Sequence, residues 1–299
     1  MTDSPIVFDR AAVRRNRTRA ARALATHDFL WRESARRIAE RLDEVRRHFP
    51  LALELGAHGA VLAEEVAGRG GIETLVACDM APAMAAAARA PALAADEERL
   101  PFAPHCFDLA LSNLSLHWVN DLPGTLIQIN RALRPDGLLI AAVLGGATLA
   151  ELREVLMEAE LAATGGVRPR VSPFADARAL AGLLQRAGFA LPVVDGDTIE
   201  VRYRDALALM RDLRLMGEAN AHAERPRGFT PRAVLLDAAA RYASRFADAD
   251  GRVAARFEII TLTAWAPAAS QPKPLRPGSA ARRLADALGT VEIKAGDKP

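Results

Sequence analysis

Carboxylate side chains end or follow three short apolar segments in the first third of the chain. Glu54 lies within LALEL, Asp79 closes TLVACD, and Asp96 closes ALAAD with Glu97 directly after it. An acid after the second strand of a nucleotide-binding unit commonly accepts hydrogen bonds from both ribose hydroxyls. The pattern therefore indicates a site for a nucleoside-type ligand. The alternative role for Asp79 is to cap the helix that we predict to begin near Pro82.

A glycine-bearing turn follows the first of these segments. LALELGAHGAVLAEEV (51–66) predicts a strand, a turn with Gly56 and Gly59, and a helix. Glycine lets such a turn tighten and lets the backbone approach a ligand, and the next helix offers unpaired N–H groups. His58 stands between the glycines, and if its φ is positive the residue type costs about 1–2 kcal/mol. The turn by itself is equally consistent with a strand–turn–helix that binds nothing.

Polar residues also follow a fourth apolar segment, FDLALSNL (107–114). Asn113, Ser115 and His117 lie in SNLSLHWVND. Because ligands of open parallel sheets bind outside the carboxyl ends of the strands, we expect these side chains to join the same pocket. His117 is the candidate general base. The alternative is that it only packs and hydrogen-bonds beside Trp118.

Composition narrows the class of protein. The chain has 299 residues, and 39 basic against 37 acidic residues give a net charge of +2, which does not favour nucleic acid as a partner. Two cysteines give no disulfide framework and indicate a reducing compartment. We expect no signal peptide and no membrane-spanning segment. Abundant alanine and arginine with little lysine favours a bacterial cytoplasm.

An acid-free cluster of arginines lies near the start of the chain: Arg10, Arg14, Arg15, Arg17, Arg19 and Arg22. The favoured interpretation is a solvated helix face or a mobile arm, and the alternative is a basic arm for an acidic partner. Residues 22–48 then carry apolar residues at helical spacing and predict one or two amphipathic helices.

Strand-like and helix-like segments alternate after Pro50, which predicts a parallel sheet with helices on both faces. The predicted strands are 51–55, 74–79, 92–96, 107–114, 137–145, 198–203 and 256–267. The predicted helices are 59–67, one from about 82, 121–134, 148–163, 176–187, 205–217 and 231–246. We divide the chain into a basic arm with helices (1–48), a main domain (49–267) whose residues 150–250 form a helical lid and substrate region, and a mobile tail (268–299).

The motifs together resemble those of class I S-adenosylmethionine-dependent methyltransferases. They are LALELGAHG, ACDM, ADEERLPFAPHCFDLALSNLSLHWVNDL and LRPDGLL, in this order and at these separations. The resemblance implies an α/β, Rossmann-like sheet of seven strands in the order 3-2-1-4-5-7-6, with strand 7 antiparallel. It also implies N-terminal helices, a helical insertion between the last two strands, and S-adenosylmethionine as the cofactor.

Further segments narrow the resemblance, among them VFDRAAVRRNRTRA, ALALMRDLRLMGEANA and SQPKPLRPGSA. They are similar to a bacterial branch related to the mitochondrial complex I assembly factor that acts as a protein arginine hydroxylase. A more distant relative is the O-methyltransferase of biotin synthesis, which esterifies malonyl-carrier protein. The first relative uses a methyltransferase fold for another reaction, so the fold alone does not settle the chemistry.

The resemblance also implies roles for individual residues. Glu54, Gly56 and Gly59 would hold the methionine end of the cofactor, and Asn113 would lie near its amino-acid portion or sulfonium. Asp79 would hold the ribose, with Met80 packed on the adenine and Asp96 and Glu97 at the adenine edge. The family pattern is acid-x-Gly-x-Gly-x-Gly, whereas this chain has His58 and Ala60 at the second and third glycine positions.

We therefore predict a methyltransferase with an unidentified acceptor. One alternative is a protein arginine hydroxylase, and the other is a non-catalytic assembly factor with a degenerate cofactor loop. We predict no metal site, because His105, Cys106 and His117 do not form a recognisable two-histidine, one-carboxylate spacing for iron. A small molecule, a carrier protein and a protein arginine all remain open as acceptors, and so does the oligomeric state.

Overall fold

The computed structural model describes residues 6–272 and 283–291. Two compact units are present, Met1–Pro267 and Ala268–Pro299. The tail predicted for 268–299 lies partly outside the described residues, and its described part contains one short helix, Leu284–Leu288. Among the described residues, no helix is both long enough and apolar enough to span a bilayer.

Seven strands form one sheet in the described part of the first unit. They are β1 (Leu51–Leu55), β2 (Thr74–Asp79), β3 (Ala92–Ala94), β4 (Phe107–Asn113), β5 (Leu133–Leu144), β6 (Ala190–Tyr203) and β7 (Val253–Trp265). Their order is β3-β2-β1-β4-β5-β7-β6, and β7 runs antiparallel to both of its neighbours. The predicted strand order is confirmed.

Among the residues that the structure describes, nine helices belong to the first unit and one to the second. They are α1 (Arg10–Ala20), α2 (Phe29–Asp43), α3 (Val61–Glu65), α4 (Pro82–Ala87), α5 (Leu122–Ala132), α6 (Ala150–Thr164), α7 (Ala177–Arg186), α8 (Ala206–Met216), α9 (Arg232–Phe246) and α10 (Leu284–Leu288). Short 3-10 turns lie at Leu24–Thr26 and Leu116–Trp118. Helices α8 and α9 form the insertion between β6 and β7. Aspartates cap several helices, as Asp205 does by accepting the Ala208 N–H at 2.7 Å.

Apolar layers cover both faces of the sheet. On one face α2 buries Leu30, Trp31, Ile38 and Leu42, which recur at helical spacing. On the other face α5 and α7 bury their own apolar stripes. Strand β1 lies between β2 and β4, so the order of the sheet reverses there. In a sheet of this kind a ligand crevice opens outside the carboxyl ends of those strands.

Strand β6 differs most from its prediction, because it starts at Ala190 instead of 198. Its first half contains Pro192 and Gly196, which weaken a strand signal. The structure accommodates them because β6 is an edge strand, where proline is tolerated, and a register shift lies between Ala190 and Val193. Strands β5 and β7 also begin earlier than predicted, at Leu133 and Val253.

Five of the six clustered arginines lie in helix α1, and Arg22 lies in the turn after it. Asp9 caps α1 by accepting the Ala12 N–H at 3.0 Å, and Val13 is buried. Arg14 and Arg15 lie on the exposed face of α1, in agreement with the solvated-face interpretation. Arg17 is buried, which that interpretation does not include.

Candidate active site

Three predicted site residues lie at neighbouring strand ends. Glu54 is in β1, Asp79 ends β2 and Asn113 ends β4, and all three are buried. We call the space at these strand ends the cofactor crevice. The parallel register pairs Glu54 with Ala77 of β2 and with Leu111 of β4, which places Glu54 on the middle one of the three strands that border the crevice.

Glu54 is a buried acid without a partner. Neither of its carboxyl oxygens has a hydrogen-bond partner among the described residues. Burial, with a smaller contribution from the charge of Asp79, raises the pKa of Glu54 well above its usual range. An unpaired buried polar group is costly, so this carboxyl is suited to a ligand group that donates hydrogen bonds or carries positive charge.

Asn113 and Asp79 flank Glu54 and differ in how fully they are bonded. The Asn113 side-chain N–H donates to the Trp31 carbonyl at 2.9 Å, while its Oδ1 has no partner among the described residues. Asp79 accepts the Ala81 N–H at 2.7 Å, and Ala81 is the N-cap of α4. Asp79 therefore supports the start of α4 without being its cap. Burial raises the pKa of Asp79.

Arg17 occupies the nucleoside side of the crevice, and the sequence interpretation missed it. Its Nη1 lies 2.5 Å from Glu97 Oε1 and 3.5 Å from Asp79 Oδ2, and its Nη2 donates to Ser115 Oγ at 2.7 Å. The side chain is 3% exposed. Burial alone would lower the pKa of Arg17, but Glu97 and Asp79 outweigh burial and raise it. A buried cation thus lies on the carboxylate predicted to hold the ribose.

Arg10 binds the acids at the predicted adenine edge. Its Nη2 lies 2.5 Å from both Asp96 Oδ1 and Glu97 Oε2. Burial would raise the pKa of Glu97, but Arg17 and Arg10 outweigh burial and hold that pKa well below its usual range. Glu97 is therefore ionised, and its ion pairs with Arg10 and Arg17 hold α1 against the crevice. Met80 packs beside the crevice in an apolar cluster with Phe8, Val13 and Trp118.

The turn after β1 adopts the strained backbone that its sequence suggested. Gly56 has φ +76°, and a Cβ there would lie 2.2 Å from the Ser115 Cβ, so only glycine fits against Ser115. Gly59 has φ +74°, and a Cβ there would lie 2.9 Å from Leu24 Cδ1. His58 has φ +41°, which is the positive value considered above. Gly56, His58 and Gly59 thus all have positive φ, and His58 is the one of the three that carries a side chain.

The His58 ring packs into the helical layer. It stacks on Trp31 of α2 with the ring centroids 4.4 Å apart, and its Nε2 lies 3.2 Å from the Leu114 carbonyl oxygen. Burial, aided by Arg17, lowers the pKa of His58 to about 3. The neutral ring therefore donates its Nε2–H to Leu114. The contacts of the ring are with Trp31 of α2 and with Leu114, the residue after β4.

His117 has both ring nitrogens in use. Its Nδ1 accepts the Leu144 N–H at 3.4 Å, and its Nε2 lies 3.3 Å from Glu218 Oε2. The same carboxylate oxygen accepts the Trp118 indole N–H at 3.2 Å. If Nδ1 accepts the Leu144 N–H, the ring proton lies on Nε2 and donates to Glu218. The role of His117 as a general base stays a prediction.

A cavity of about 340 Å³ lies beside these residues, and we call it the acceptor cavity. Its walls are mainly apolar and include Trp118, Phe174, Met210 and Phe257. Glu218 also lines it. The predicted lid region therefore supplies much of the cavity wall. In the described part of the chain, no group of three His, Cys, Asp or Glu residues is placed to hold a metal ion.

Backbone and side-chain contacts tie the start of the chain to the segment that follows α8. Asp9 N–H donates to the Ala221 carbonyl at 2.8 Å, and Ala223 N–H donates to the Val7 carbonyl at 2.8 Å. Arg225 forms a 2.8 Å ion pair with Asp9. We call residues 218–225 the α8–α9 segment. The helix that carries Arg17 and the segment that carries Glu218 are thus joined.

The residues of the crevice fit S-adenosylmethionine, with one adjustment. The unpaired oxygens of Glu54 and Asn113 suit the cationic amino-acid end of that cofactor. Asp79 suits the ribose hydroxyls once Arg17 moves off it. The side chains suited to the amino-acid end and to the ribose thus both lie at the carboxyl ends of β1, β2 and β4.

Sequence clues to the two missed residues differ in strength. Val13, Arg17 and Ala20 share one face of α1 at the spacing i, i+4 and i+7, so the neighbours of Arg17 indicate burial. Glu218 follows Gly217, a left-handed glycine at the end of α8, and nothing local places it beside His117. Only the fold brings Glu218 to the site.

Comparison with known proteins shows which family this chain resembles. The family described as methyltransferase domain matches residues 53–141. The mitochondrial arginine-hydroxylase NDUFAF5 of Danio rerio is 41% identical over 287 residues, 94% of this chain and 89% of the relative. The malonyl-[acyl-carrier protein] O-methyltransferase of Halorhodospira halophila is 35% identical over 266 residues, 86% of this chain and 88% of the relative.

Solved structures agree on the fold. The YcgJ protein of Bacillus subtilis superposes with a TM-score of 0.55 at 12% identity, covering 79% of this chain and 99% of that one. The two sequence relatives are named for different reactions, but both span most of this chain at more than one third identity. The chain therefore belongs to the class I methyltransferase-fold family that contains these arginine hydroxylases and malonyl-carrier-protein methyltransferases.

Proposed function

We propose that this protein transfers a methyl group from S-adenosylmethionine to an acceptor held in the acceptor cavity. The observation that carries the proposal is the buried, unpaired carboxyl of Glu54 beside Asp79 at the switch point of the sheet. When bound, the cofactor supplies an electrophilic methyl group on a sulfonium. Displacement at that methyl depends mainly on the alignment of the two reactants, so the protein acts chiefly by positioning.

The chain's own residues divide into cofactor and acceptor groups. Glu54 and Asn113 hold the amino-acid end, with Gly56 and Gly59 shaping the turn beneath it. Asp79 holds the ribose, Met80 packs on the adenine, and Asp96 and the Glu97 backbone lie at the adenine edge. On the acceptor side, Trp118 and Phe174 exclude water and His117 orients Glu218.

The proposal is tested first by calorimetry with S-adenosylmethionine and S-adenosylhomocysteine. Correctly folded protein should bind both, and absence of binding would refute the proposal. Acceptors are then sought by incubating the protein and S-adenosylmethionine carrying a deuterated methyl group with a bacterial lysate. Mass spectrometry should detect an acceptor that gains the labelled methyl group.

Hydroxylation of a protein arginine is the second candidate. It is favoured by the 41% identity to the mitochondrial arginine hydroxylase. The same mass spectrometry separates the two reactions, because hydroxylation adds one oxygen atom from an unlabelled source. A gain of oxygen without label would replace our first proposal with the second, and binding of an assembly partner with neither change would support the non-catalytic alternative.

We also propose that the protein works in a bacterial cytoplasm. Both cysteines are free thiols in the structure, and burial raises the pKa of Cys78 to about 12, which keeps that thiol protonated and unreactive. Fractionation of the source cells with an antibody against the protein tests this location. Recovery from the periplasm would contradict it.

A further inference from the structure

We infer that the acceptor carries its reacting group on an unbranched apolar chain, and that Phe174 sets the length of chain that the site admits. This inference rests on the proposed function, because it names the class of acceptor for the same site. It concerns the shape and polarity of the space on the acceptor side, which the cofactor crevice does not determine.

Phe174 lies between two apolar spaces of the protein. One is the acceptor cavity of about 340 Å³. The other, which we call the side pocket, has a volume of about 230 Å³, and its walls include Val7, Leu122 and Leu180. Phe174 and Leu144 line both spaces. The ring of Phe174 is therefore part of the partition between them.

The partition is a side chain on a loop. Residues 172–176 form neither helix nor strand, and Phe174 is only half-buried. Its ring meets those of His117 and Trp118 edge to face, with centroid distances of 5.2 and 6.0 Å. Rotation of the Phe174 ring out of the partition would join the acceptor cavity and the side pocket into one elongated site.

Polar groups in the wall of the acceptor cavity are bonded within the protein. The Arg170 guanidinium pairs with Glu160 at 2.6 Å and donates to Thr230 Oγ1 at 2.7 Å. Ser172 Oγ donates to Asn220 Oδ1 at 3.1 Å. A ligand in the cavity therefore meets mainly apolar side chains, and a hydrocarbon chain has no polar group to leave unpaired there.

The side pocket is more apolar than the acceptor cavity. Among the described residues that line it, His117 has the only polar side chain, and both of its ring nitrogens have partners in the protein. A polar segment of a ligand would lose its hydrogen bonds to water in the side pocket without gaining others from side chains. Each methylene group buried there instead strengthens binding by about fourfold.

A groove on the surface leads to the same ring. Its volume is about 530 Å³, and Phe174 lines it together with Met157 and Val167, whose side chains are exposed. An apolar chain therefore has a route from solvent to Phe174 along apolar side chains.

The test uses alkan-1-ols from butan-1-ol to decan-1-ol and the α,ω-diols of the same lengths. Calorimetry in saturating S-adenosylhomocysteine measures their affinities, and the neutral hydroxyl keeps charge out of the comparison. For the wild-type protein, affinity should rise by about fourfold per added methylene until the acceptor cavity is filled and then level off. Each diol should bind more weakly than the alkanol of its length, since its second hydroxyl lies among apolar side chains.

Substitution of Phe174 should move the chain length at which the rise ends. Phe174→Ala should open the side pocket and extend the rise to longer alkanols. Phe174→Trp should end the rise at a shorter alkanol, and it keeps an apolar ring in place if Phe174→Ala folds poorly. The matched control is Phe102→Ala, because Phe102 is also half-buried but packs on Phe107 and lines neither space. That control should leave the chain-length limit unchanged.

Several results would overturn the inference. They are failure of the wild-type protein to bind any alkanol, equal affinity for alkanols and diols, and one chain-length limit shared by wild type and both Phe174 variants. S-adenosylhomocysteine is titrated separately, so failure to bind it refutes the proposed function alone. The alkanol series is then repeated without it and still tests the cavity and its partition.

Discussion

Replacing Arg17 with methionine removes the cation that lies on Asp79 and should tighten cofactor binding. In the structure Arg17 Nη1 is 3.5 Å from Asp79 Oδ2, the carboxylate that we propose holds the ribose of the cofactor. A hydrogen bond to a charged group contributes about 1.5–3 kcal/mol, and 3.5 Å is long for such a bond. We take the lower end, which corresponds to a gain of about tenfold in affinity for S-adenosylhomocysteine.

The same change should destabilise the fold. Arg17 pairs with the buried carboxylate of Glu97 at 2.5 Å, and breaking a buried pair costs about 3–5 kcal/mol. Arg10 still pairs with Glu97, so we expect the lower part of that range. Calorimetric titration gives the affinity, and urea unfolding gives the free energy of unfolding. Should Arg17→Met fold poorly, adding Glu97→Gln removes the carboxylate that the first change leaves underpaired.

The control is Arg14→Met, which changes an exposed arginine of the same helix and should alter neither quantity. The reasoning about competition is refuted if folded Arg17→Met binds S-adenosylhomocysteine as weakly as wild type or more weakly. That result would mean that Arg17 assists the cofactor, for example by contacting its carboxylate.

Three other substitutions test the crevice. Glu54→Gln should weaken cofactor binding and raise the melting temperature at pH 7. Burial raises the pKa of Glu54, so the stability that the protonated carboxyl contributes is full below its unfolded pKa of about 4.3. That stability is lost as pH rises toward the folded pKa, and glutamine avoids this loss because it does not ionise. An equal stability difference at pH 4 and pH 7 would contradict this. Asp79→Ala should lower the affinity by about 1.5–3 kcal/mol in calorimetry, and an unchanged affinity would mean that the ribose site is misplaced. His58→Gly should lower the melting temperature, because stacking on Trp31 is lost, and leave the affinity unchanged; a marked gain in affinity would show that the ring obstructs the crevice.

The sheet could be predicted because its signals are local. Strands β1 and β2 coincide with their predicted ranges, since each is a short apolar run that ends at an acid or a glycine turn. The carboxyl ends of neighbouring parallel strands meet at one edge, which is why Glu54, Asp79 and Asn113 could be grouped from the sequence. The irregular first half of β6 was missed, because its pairing partner β7 lies far along the chain.

The partners of the site residues could not be predicted in the same way. Which face of α1 turns inward depends on packing against β2 and the turn after β4, so the contact of Arg17 with Asp79 and Ser115 is a tertiary outcome. Glu218 comes from the α8–α9 segment and reaches His117 only after the insertion has folded back over the sheet. The local sequence pattern identified His117 as a candidate base. Only the fold shows that Glu218 lies beside His117 and lines the acceptor cavity.

The link between α1 and the α8–α9 segment bears on the order in which the two ligands bind. A cofactor that displaced Arg17 would pull on the helix whose preceding residues, Val7 and Asp9, are bonded to Ala221, Ala223 and Arg225. The Glu218 carboxylate lies on the same segment. Thermodynamic reciprocity then requires the acceptor to change the affinity for cofactor by the same factor as cofactor changes the affinity for acceptor. Titrations should therefore give the same coupling factor whether the nucleoside or the acceptor is added first.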